Sequence, residues 1–329
     1  MIKVEGLTKR YARTVAVDNV SFEVSKGQII GFLGPNGAGK TTTMRILTCF
    51  LPPSEGRAEV AGYDVTTQSM DVKKRIGYLP EVPPLYPEME VEEYLHFVGR
   101  LKRVAKADLV PRTNEVMERC NVADVRKKLI SKLSKGYRQR VGLAQAIIHN
   151  PEVLILDEPT AGLDPKQIIE TRDLIRRLAG DHTIILSTHI LPEVEHTCEK
   201  VIIINKGKVV ATDSVENLTS RLRGSEAVAV EVSGRNGDLG VAAVQQRLEQ
   251  VSGVSRVVGK EGKDGHSRFE VESLQGRHIR PDLARAVVES GWNLHELHPV
   301  AFSLEEIFLQ LTSADTSAEA ATAAQGGTQ

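Results

Sequence analysis

The sequence predicts an α/β fold, with a mostly parallel sheet and a helical subdomain, followed by a small α+β C-terminal domain. Three observations indicate this fold class. Short β-branched runs alternate with helical stretches up to about Thr212, which is typical of a parallel sheet covered by helices. The alternation lapses at about residues 82–150, where charged helix formers dominate. Near Ser220 a shorter order of strands and helices begins, and 329 residues are enough for two separate cores.

The domain boundaries follow from these changes of pattern. We place the first domain at residues 1–220, the second at residues 225–312, and a disordered tail at residues 313–329, which is small, polar and aperiodic. The last helix of the second domain is predicted from Ser303 and Glu306, which fit a capping box. We expect this domain to serve dimerisation or regulation, because no residue in it suggests chemistry.

Composition limits the classes of function. The chain has 42 basic and 43 acidic residues, so no overall field attracts nucleic acid or an anionic bilayer. Cys49, Cys120 and Cys198 lie outside any metal-ligand spacing, as expected of structural thiols in a cytosolic protein. His295 and His298 have no third ligand positioned by the sequence, so we interpret them as part of a strand edge.

The strand QIIGFLG leads into a glycine-rich loop that opens a helix. The loop matches G-x-x-x-x-G-K-[ST], a phosphate-binding pattern whose glycines let backbone N–H groups turn toward phosphate oxygens. Lys40 would reach the β- and γ-phosphates, and the Thr41 hydroxyl would bind Mg²⁺. An ordinary glycine-rich turn is the alternative, and the flanking strand and helix argue against it. The predicted nucleotide-binding residues of this loop are Gly34, Pro35, Asn36, Gly37, Ala38, Gly39, Lys40, Thr41 and Thr42.

A second apolar strand, residues 153–156, ends in the carboxylates of Asp157 and Glu158. Side chains at the carboxyl end of a buried strand point into the crevice where ligands bind in open α/β sheets. Asp157 is suited to hold Mg²⁺, and Glu158 to orient or deprotonate an attacking water. Two acids alone could mark a solvated strand end, but their position after a phosphate loop favours the catalytic interpretation.

Further motifs follow the chain order: Tyr11 after the first strand, LSKGYRQR at residues 133–140, Asp164 after the two acids, and His189 after a later strand. With this order and spacing, the chain resembles the ATP-binding-cassette family over roughly residues 1–215. The resemblance implies that Tyr11 is the aromatic that stacks on adenine, residues 133–140 are the signature motif, Asp164 lies in the D-loop, and His189 is the switch histidine. Lys135 and Tyr137 stand where glycine and glutamine are common. Both residues are similar to those found in the exporter-type subgroup, which serves drug, polysaccharide or gliding systems. Residues 293–312 also resemble the C-terminal extension of that subgroup.

The resemblance implies an ATPase of the phosphate-loop NTPase cassette fold that forms a head-to-tail dimer around two MgATP. The dimer would contain two copies of this chain, or one copy and a paralogue. The signature residues that would contact the ATP held by the partner's phosphate loop are Ser134, Lys135, Gly136 and Tyr137. The implied catalytic residues are Lys40, Glu158 and His189, and the implied metal ligands are Thr41, Asp157 and Glu81. Glu81 stands where the family usually has glutamine, so it adds a negative charge beside phosphate.

The resemblance also implies an integral membrane permease as partner. No apolar run in the chain approaches the roughly 20 residues that span a bilayer, and its start lacks the features of a secretory signal. Residues 81–87, whose prolines shape a loop, would couple ATP hydrolysis to transport by the permease. We expect a cytoplasmic protein, peripheral on the inner face of the cell membrane, with no nucleic-acid partner. The subgroup implies export, and the permease would select the cargo.

Three other functions compete with transport. Cassette ATPases that act on ribosomes or DNA usually carry a second cassette or a long coiled coil, and this sequence has neither. An ATP-sensing scaffold would not need the water-activating carboxylate of Glu158. A small-molecule kinase that shares only the phosphate loop would not explain the signature motif.

Overall fold

The computed structural model describes residues 1–215, 217–218, 227–234, 240–260, 266–274 and 276–300. The chain divides into two compact units, Met1–Val215 and Glu216–Gln329. In chain order the first unit contains β1 (Ile2–Tyr11), β2 (Thr14–Val24), β3 (Ile29–Leu33), α1 (Lys40–Leu47), β4 (Glu55–Val60), β5 (Tyr63–Asp64), α2 (Ser69–Arg75), β6 (Ile76–Leu79), α3 (Val91–Leu101), α4 (Leu109–Arg119), α5 (Lys135–Ile147), β7 (Val153–Asp157), α6 (Pro165–Leu178), β8 (Thr183–Thr188), α7 (Leu191–Thr197), β9 (Lys200–Asn205) and β10 (Lys208–Ser214).

The larger sheet of the first unit has six strands in the order β10-β9-β3-β8-β7-β6. All neighbouring strands are parallel except β10, which pairs antiparallel with β9. Every residue of β3, β7 and β8 is buried. A parallel sheet is covered on both faces, so these strands are continuous apolar runs without alternation. The loops after β3, β6, β7 and β8 therefore begin at one edge of the sheet.

A smaller antiparallel sheet, in the order β2-β1-β4-β5, shares its core with the larger one. The rings of Phe22 in β2 and Phe32 in β3 lie 5.6 Å apart, and Met44 and Leu47 of α1 are fully buried in the same core. Helix α1 is thus fixed by its apolar side while its first turn faces the carboxyl edge of the larger sheet.

Helices α3, α4 and α5 form the helical subdomain between β6 and β7. Helix α3 buries one side, through Val91, Tyr94, Leu95 and Val98, as its amphipathic sequence predicts. Helix α5 packs closely on β6: a Cβ atom on Gly77 would lie 2.2 Å from the carbonyl oxygen of Ala146. Only glycine fits there.

The second unit contains β11 (Ala227–Ser233), α8 (Val241–Glu249), β12 (Val254–Lys260), β13 (Ser267–Ser273), α9 (Arg280–Glu289) and β14 (Asn293–Val300). Its sheet is antiparallel, in the order β12-β13-β11-β14, and both helices contribute to a core around Phe269. A mostly parallel sheet with helices, followed by an antiparallel sheet with helices, confirms the predicted fold class. The predicted last helix at Ser303 and the predicted tail lie outside the described residues.

The side chains set aside as structural have ordinary surroundings. Burial raises the pKa of Cys49 to about 11 and that of Cys120 to about 12, so both thiols stay neutral. His295 lies on the edge strand β14, where its ring stacks on His266 at 4.0 Å and its Nε2 is 2.8 Å from Ser233 Oγ. No helix in the described part of the chain is long and apolar enough to cross a membrane.

His149 follows α5 and joins it to β6. Its Nε2–H donates to the carbonyl oxygen of Ile76 at 3.0 Å, while its Nδ1 is buried without a partner. Protonation would therefore bury an N–H group without an acceptor. Burial, assisted by the charge of Lys102, lowers the pKa of His149 from 6.5 to about 4.

We predict that His149 destabilises the folded chain at acid pH. Above pH 6.5 the residue is neutral in both the folded and the unfolded chain. As the pH falls from 6.5 to about 4, the unfolded chain takes up a proton that the folded chain does not, so the free energy of unfolding decreases by about 3 kcal/mol. His149→Gln should remove this part of the pH dependence, measured by denaturant unfolding between about pH 7.5 and 4.5. Exposed His196→Gln is the control, and equal pH slopes for wild type and His149→Gln would contradict the prediction.

Candidate active site

The phosphate loop connects β3 to α1 at the carboxyl edge of the larger sheet. Gly39 has a φ of 105°, and a Cβ atom there would lie 2.4 Å from the carbonyl oxygen of Ala16. A Cβ atom on Gly34 would lie equally close, at 2.4 Å, to the carbonyl oxygen of Ile204. Larger residues would push the loop away from β2 and β9. The two glycines therefore allow the loop to pack tightly and to direct backbone N–H groups outward.

Lys40 is the first residue of α1 and is only 6% exposed. Its Nζ donates to the carbonyl oxygens of Gly34 at 2.8 Å and Pro35 at 3.3 Å. It also forms an ion pair with Glu158 Oε1 at 3.4 Å. The cation is therefore held above the loop, where a phosphate group could replace these oxygen partners.

Asp157 ends β7 and is 1% exposed. Its Oδ1 accepts hydrogen bonds from the hydroxyl of Ser187 and, at 3.4 Å, from the hydroxyl of Thr41. Burial raises the pKa of Asp157, and both hydrogen bonds oppose this shift. A cation beside the carboxylate would offset the cost of its burial. Thr41 and Asp157 thus supply a hydroxyl and a carboxylate oxygen, the ligand types that Mg²⁺ prefers.

Glu158 connects the strand edge to two other predicted catalytic residues. Its Oε2 lies 2.9 Å from Nδ1 of His189, and its Oε1 faces Lys40. The backbone of Glu158 has a φ of 49°, in the left-handed region that costs energy for a residue with a Cβ atom. Its N–H donates to the carbonyl oxygen of Ser187 at 3.0 Å. The tertiary structure therefore holds Glu158 in a conformation that an isolated loop would seldom adopt.

Several of these residues line an open cavity of about 230 Å³, whereas Asp157 and Gly34 lie outside its lining. Of the predicted site residues, the lining contains Asn36, Gly37, Gly39, Lys40, Thr41, Thr42, Glu81, Glu158 and His189. It also contains Ala161, at the start of the D-loop segment, and Ala16, which sequence reasoning missed because a small apolar residue has no recognisable signal. Tyr11 is not in this lining; it is 45% exposed at the end of β1, with Lys9 Nζ 5.6 Å from its ring centre.

The signature motif lies apart from this cavity. Ser134 caps α5 by accepting the N–H of Tyr137 at 3.3 Å, and the Tyr137 hydroxyl donates to Asp124 at 2.7 Å. Lys135 lines a neighbouring cavity of about 380 Å³, which it shares with Glu81. The structure thus does not bring the signature residues to the phosphate loop of their own chain.

Asp164 serves locally as a helix cap. Its Oδ1 accepts the N–H of Gln167 at 3.0 Å, where α6 begins. Gly136 packs beside the same helix, since a Cβ atom there would lie 2.5 Å from Oε1 of Gln167. The D-loop and the signature motif are therefore neighbours within one chain.

Comparison with known proteins identifies the family. The family described as ABC transporter matches residues 17–161. The chain is 34% identical over 316 residues, 95% of its length and 96% of the relative's, to the daunorubicin resistance ATP-binding protein DrrA3 of Streptomyces coeruleorubidus. It is also 34% identical over 324 residues, 96% of its length and 98% of the relative's, to the bacitracin transport ATP-binding protein BcrA of Bacillus licheniformis.

A solved structure of CbiO1 from Clostridium perfringens, part of the ABC transporter complex CbiONQ, has a TM-score of 0.62 and 27% identity. The match covers 67% of this chain and 91% of CbiO1. The predicted resemblance is confirmed, and the competing ribosome, DNA, scaffold and kinase functions are not favoured. The chain belongs to the ATP-binding-cassette family, as an ATP-hydrolysing subunit of an ABC transporter.

Proposed function

We propose that this chain hydrolyses MgATP at the carboxyl edge of its larger sheet and thereby drives export through a separate membrane permease. The observation that carries the proposal is the contact of Glu158 with both Lys40 and His189 in the lining of one cavity. The names of the two relatives, which refer to drug resistance and to bacitracin transport, support export.

Each residue of this contact has a distinct role in the proposed reaction. Lys40 exchanges its carbonyl partners for the β- and γ-phosphates of ATP. Glu158 accepts a hydrogen bond or proton from the attacking water, and His189 fixes the other carboxylate oxygen. Because Glu158 is only 7% exposed, few waters can compete with the attacking one. The exposed ring of Tyr11 offers a surface on which adenine can stack.

Thr41 and Asp157 would hold Mg²⁺, with Glu81 as a third oxygen donor from the loop after β6. The ion would supply charge neutralisation for the β- and γ-phosphates. Across the described residues, no three His, Cys, Asp or Glu side chains form a metal cage. This fits Mg²⁺, which is usually held by one or two protein carboxylates, water and substrate phosphates.

The position of the signature motif supports a head-to-tail dimer. Ser134 and Gly136 open α5, whose first N–H groups and positive dipole end suit a phosphate. They lie outside the cavity of their own phosphate loop, so the ATP they contact would be bound by a second subunit. That subunit is either another copy of this chain or a paralogue. Residues 225–312 would then serve dimerisation or regulation.

The permease would dock beside the proline-rich loop at residues 81–87. An adjoining open cavity of about 420 Å³ is lined by Phe50, Pro80 and Pro84 together with Arg45 and Lys102. Phe50 is 71% exposed. An apolar segment carrying acidic residues, presented by the permease on the inner face of the cell membrane, would match this mixture of apolar and basic side chains.

Docking on that face would place the chain in the cytoplasm. No nucleic-acid partner is proposed.

If Glu158 activates the attacking water, its substitution should strongly lower the rate of ATP hydrolysis without abolishing ATP binding. Glu158→Gln should lower the steady-state rate of phosphate release by about 10²- to 10⁴-fold, because general-base assistance is lost. Binding of MgATP, measured by fluorescence titration, should persist. The matched control is Glu152→Gln, which lies just before the same strand and is half-exposed in its ion pair with Arg75. Undiminished turnover in Glu158→Gln would exclude the proposed role.

The head-to-tail dimer predicts complementation between two inactive variants. Lys40→Met damages the phosphate loop and Ser134→Arg damages the signature motif, so each homodimer should be inactive. In an equal mixture, half of the dimers are mixed and each of these retains one intact site, which should restore up to roughly a quarter of the wild-type ATPase rate. If differently tagged subunits co-purify as mixed dimers without any recovery, the signature motif does not act on a partner's ATP.

The docking proposal predicts that Phe50→Asp weakens association with the permease, because a charge replaces an exposed apolar contact. A multispanning membrane protein should co-purify with the wild-type chain from gently solubilised host membranes and be lost from the variant, as measured by mass spectrometry. Basal ATPase activity should be retained. Val110→Asp is the control, since Val110 is also exposed, at 53%, but does not line this cavity. Equal recovery with both variants would contradict the proposal.

A further inference from the structure

Glu193 is a buried acid close to the candidate active site but outside its cavity. It lies in α7 and is 1% exposed. Its Oε1 accepts a hydrogen bond from the hydroxyl of Thr160, and its Oε2 accepts one from the hydroxyl of Thr188 at 2.8 Å. Both threonines are themselves buried, at 2% and 0% exposure. A single carboxylate thus links the loop after β7 to the end of β8.

The hydrogen-bond partners of Glu193 are two neutral hydroxyl groups. Within the described ranges, no lysine, arginine or histidine forms an ion pair with this carboxylate. Burial of an acid that is satisfied by hydroxyl groups alone is costly, and an apolar side chain of the same size would avoid that cost. The interaction therefore contributes little to the free energy of unfolding. Its effect on the positions of the two threonines is the more informative property.

The threonines lie next to the proposed catalytic residues along the chain. Thr160 is two residues beyond Glu158, in the loop after β7. Thr188 immediately precedes His189, and its hydroxyl also accepts the N–H of Ile190 at 3.0 Å, so the turn that carries His189 is held on both sides. The hydrogen bond between His189 and Glu158 spans the same two loops.

The backbone at Glu158 requires such support. Its left-handed conformation persists only where neighbouring contacts hold it. One contact is the N–H of Ala161, which donates to the carbonyl oxygen of Glu158 at 3.1 Å. The Thr160 hydroxyl, between these two residues in sequence, is anchored to Glu193. Movement of Thr160 would therefore change the direction of the Glu158 side chain.

We propose that Glu193 is a positioning residue that ties the loop after β7 to the loop after β8 and thereby sets the alignment of Glu158 with His189. It touches neither nucleotide nor water in this role. The inference rests on the proposed catalytic roles of Glu158 and His189 and adds the element that holds them in register. It also gives α7 a function in turnover beyond covering the sheet.

The test is steady-state ATP hydrolysis by the full chain with Glu193→Met, which removes both acceptor oxygens and keeps a similar volume. The value of kcat should fall at least about tenfold, since displacement of reacting groups by about 1 Å can cost two orders of magnitude. The KM for MgATP should stay within about threefold and the thermal midpoint close to wild type, because the phosphate loop and the core are unaltered. Thr188→Val should show the same split between kcat and KM, and Thr188→Ser, which keeps the hydroxyl, should restore most of the activity.

Controls separate this proposal from the one on which it rests. Glu195→Gln changes the charge at an exposed position of the same helix and should leave kcat unchanged. If Glu158→Gln, measured in parallel, is inactive while Glu193→Met keeps wild-type kcat, the positioning role is overturned and the catalytic assignment stands. If Glu158→Gln remains active, the catalytic role of Glu158 is excluded, and the positioning role of Glu193, which rests on it, is excluded as well. A loss of thermal stability and of MgATP affinity in Glu193→Met that matches its loss of kcat, without rescue by Thr188→Ser, would show a purely structural role and overturn the proposal.

Discussion

Parallel pairing of β3, β8 and β7 is the constraint on which the site depends. In this register Leu33 lies beside Thr188, and Asp157 lies beside Ser187. The phosphate loop, the switch histidine and the two acids after β7 therefore leave the sheet at the same level, although long stretches of sequence separate them. A shift of one strand by a single residue would move its end, and the loop that follows, by about 3.3 Å along the sheet. The register of the three strands therefore also sets the distances between the groups at the edge.

The charges at this edge explain why nucleotide and metal would enter together. Lys40 forms an ion pair with Glu158, while the buried Asp157 already has its pKa raised by burial and, to a smaller extent, by the nearby acids Glu158 and Glu81. A triphosphate alone would add negative charge to acids that are costly to keep ionised. Mg²⁺ would offset both the phosphates and the acids, so the acidic edge would favour the complex over free ATP. The glutamate at position 81 would strengthen this dependence on the ion.

Sequence reasoning was most informative where function depends on neighbours along the chain. The phosphate loop and the Asp157–Glu158 pair are local patterns at strand ends, and the parallel sheet could be inferred from continuous apolar runs. The contact of His189 with Glu158 depends on strand order, so only the resemblance to a family suggested that role. Glu193 could not be found in this way, because one acid on a short helix has no distinguishing spacing. Its proposed role depends on its hydrogen bonds to Thr160 and Thr188, which form only in the folded structure.

Glu81 shows how a signal could pass between nucleotide and permease over a short path. It follows β6 and lines both the phosphate cavity and the neighbouring cavity that contains Lys135 of the signature region. Pro84, three residues further along, lines the proposed docking cavity. The prolines of this loop restrict backbone rotation, so the segment transmits displacement better than a flexible loop of equal length. A permease segment that moves Pro84 would therefore also move an acid beside the phosphates, and the same mechanical link would act in the opposite direction when ATP is bound or hydrolysed.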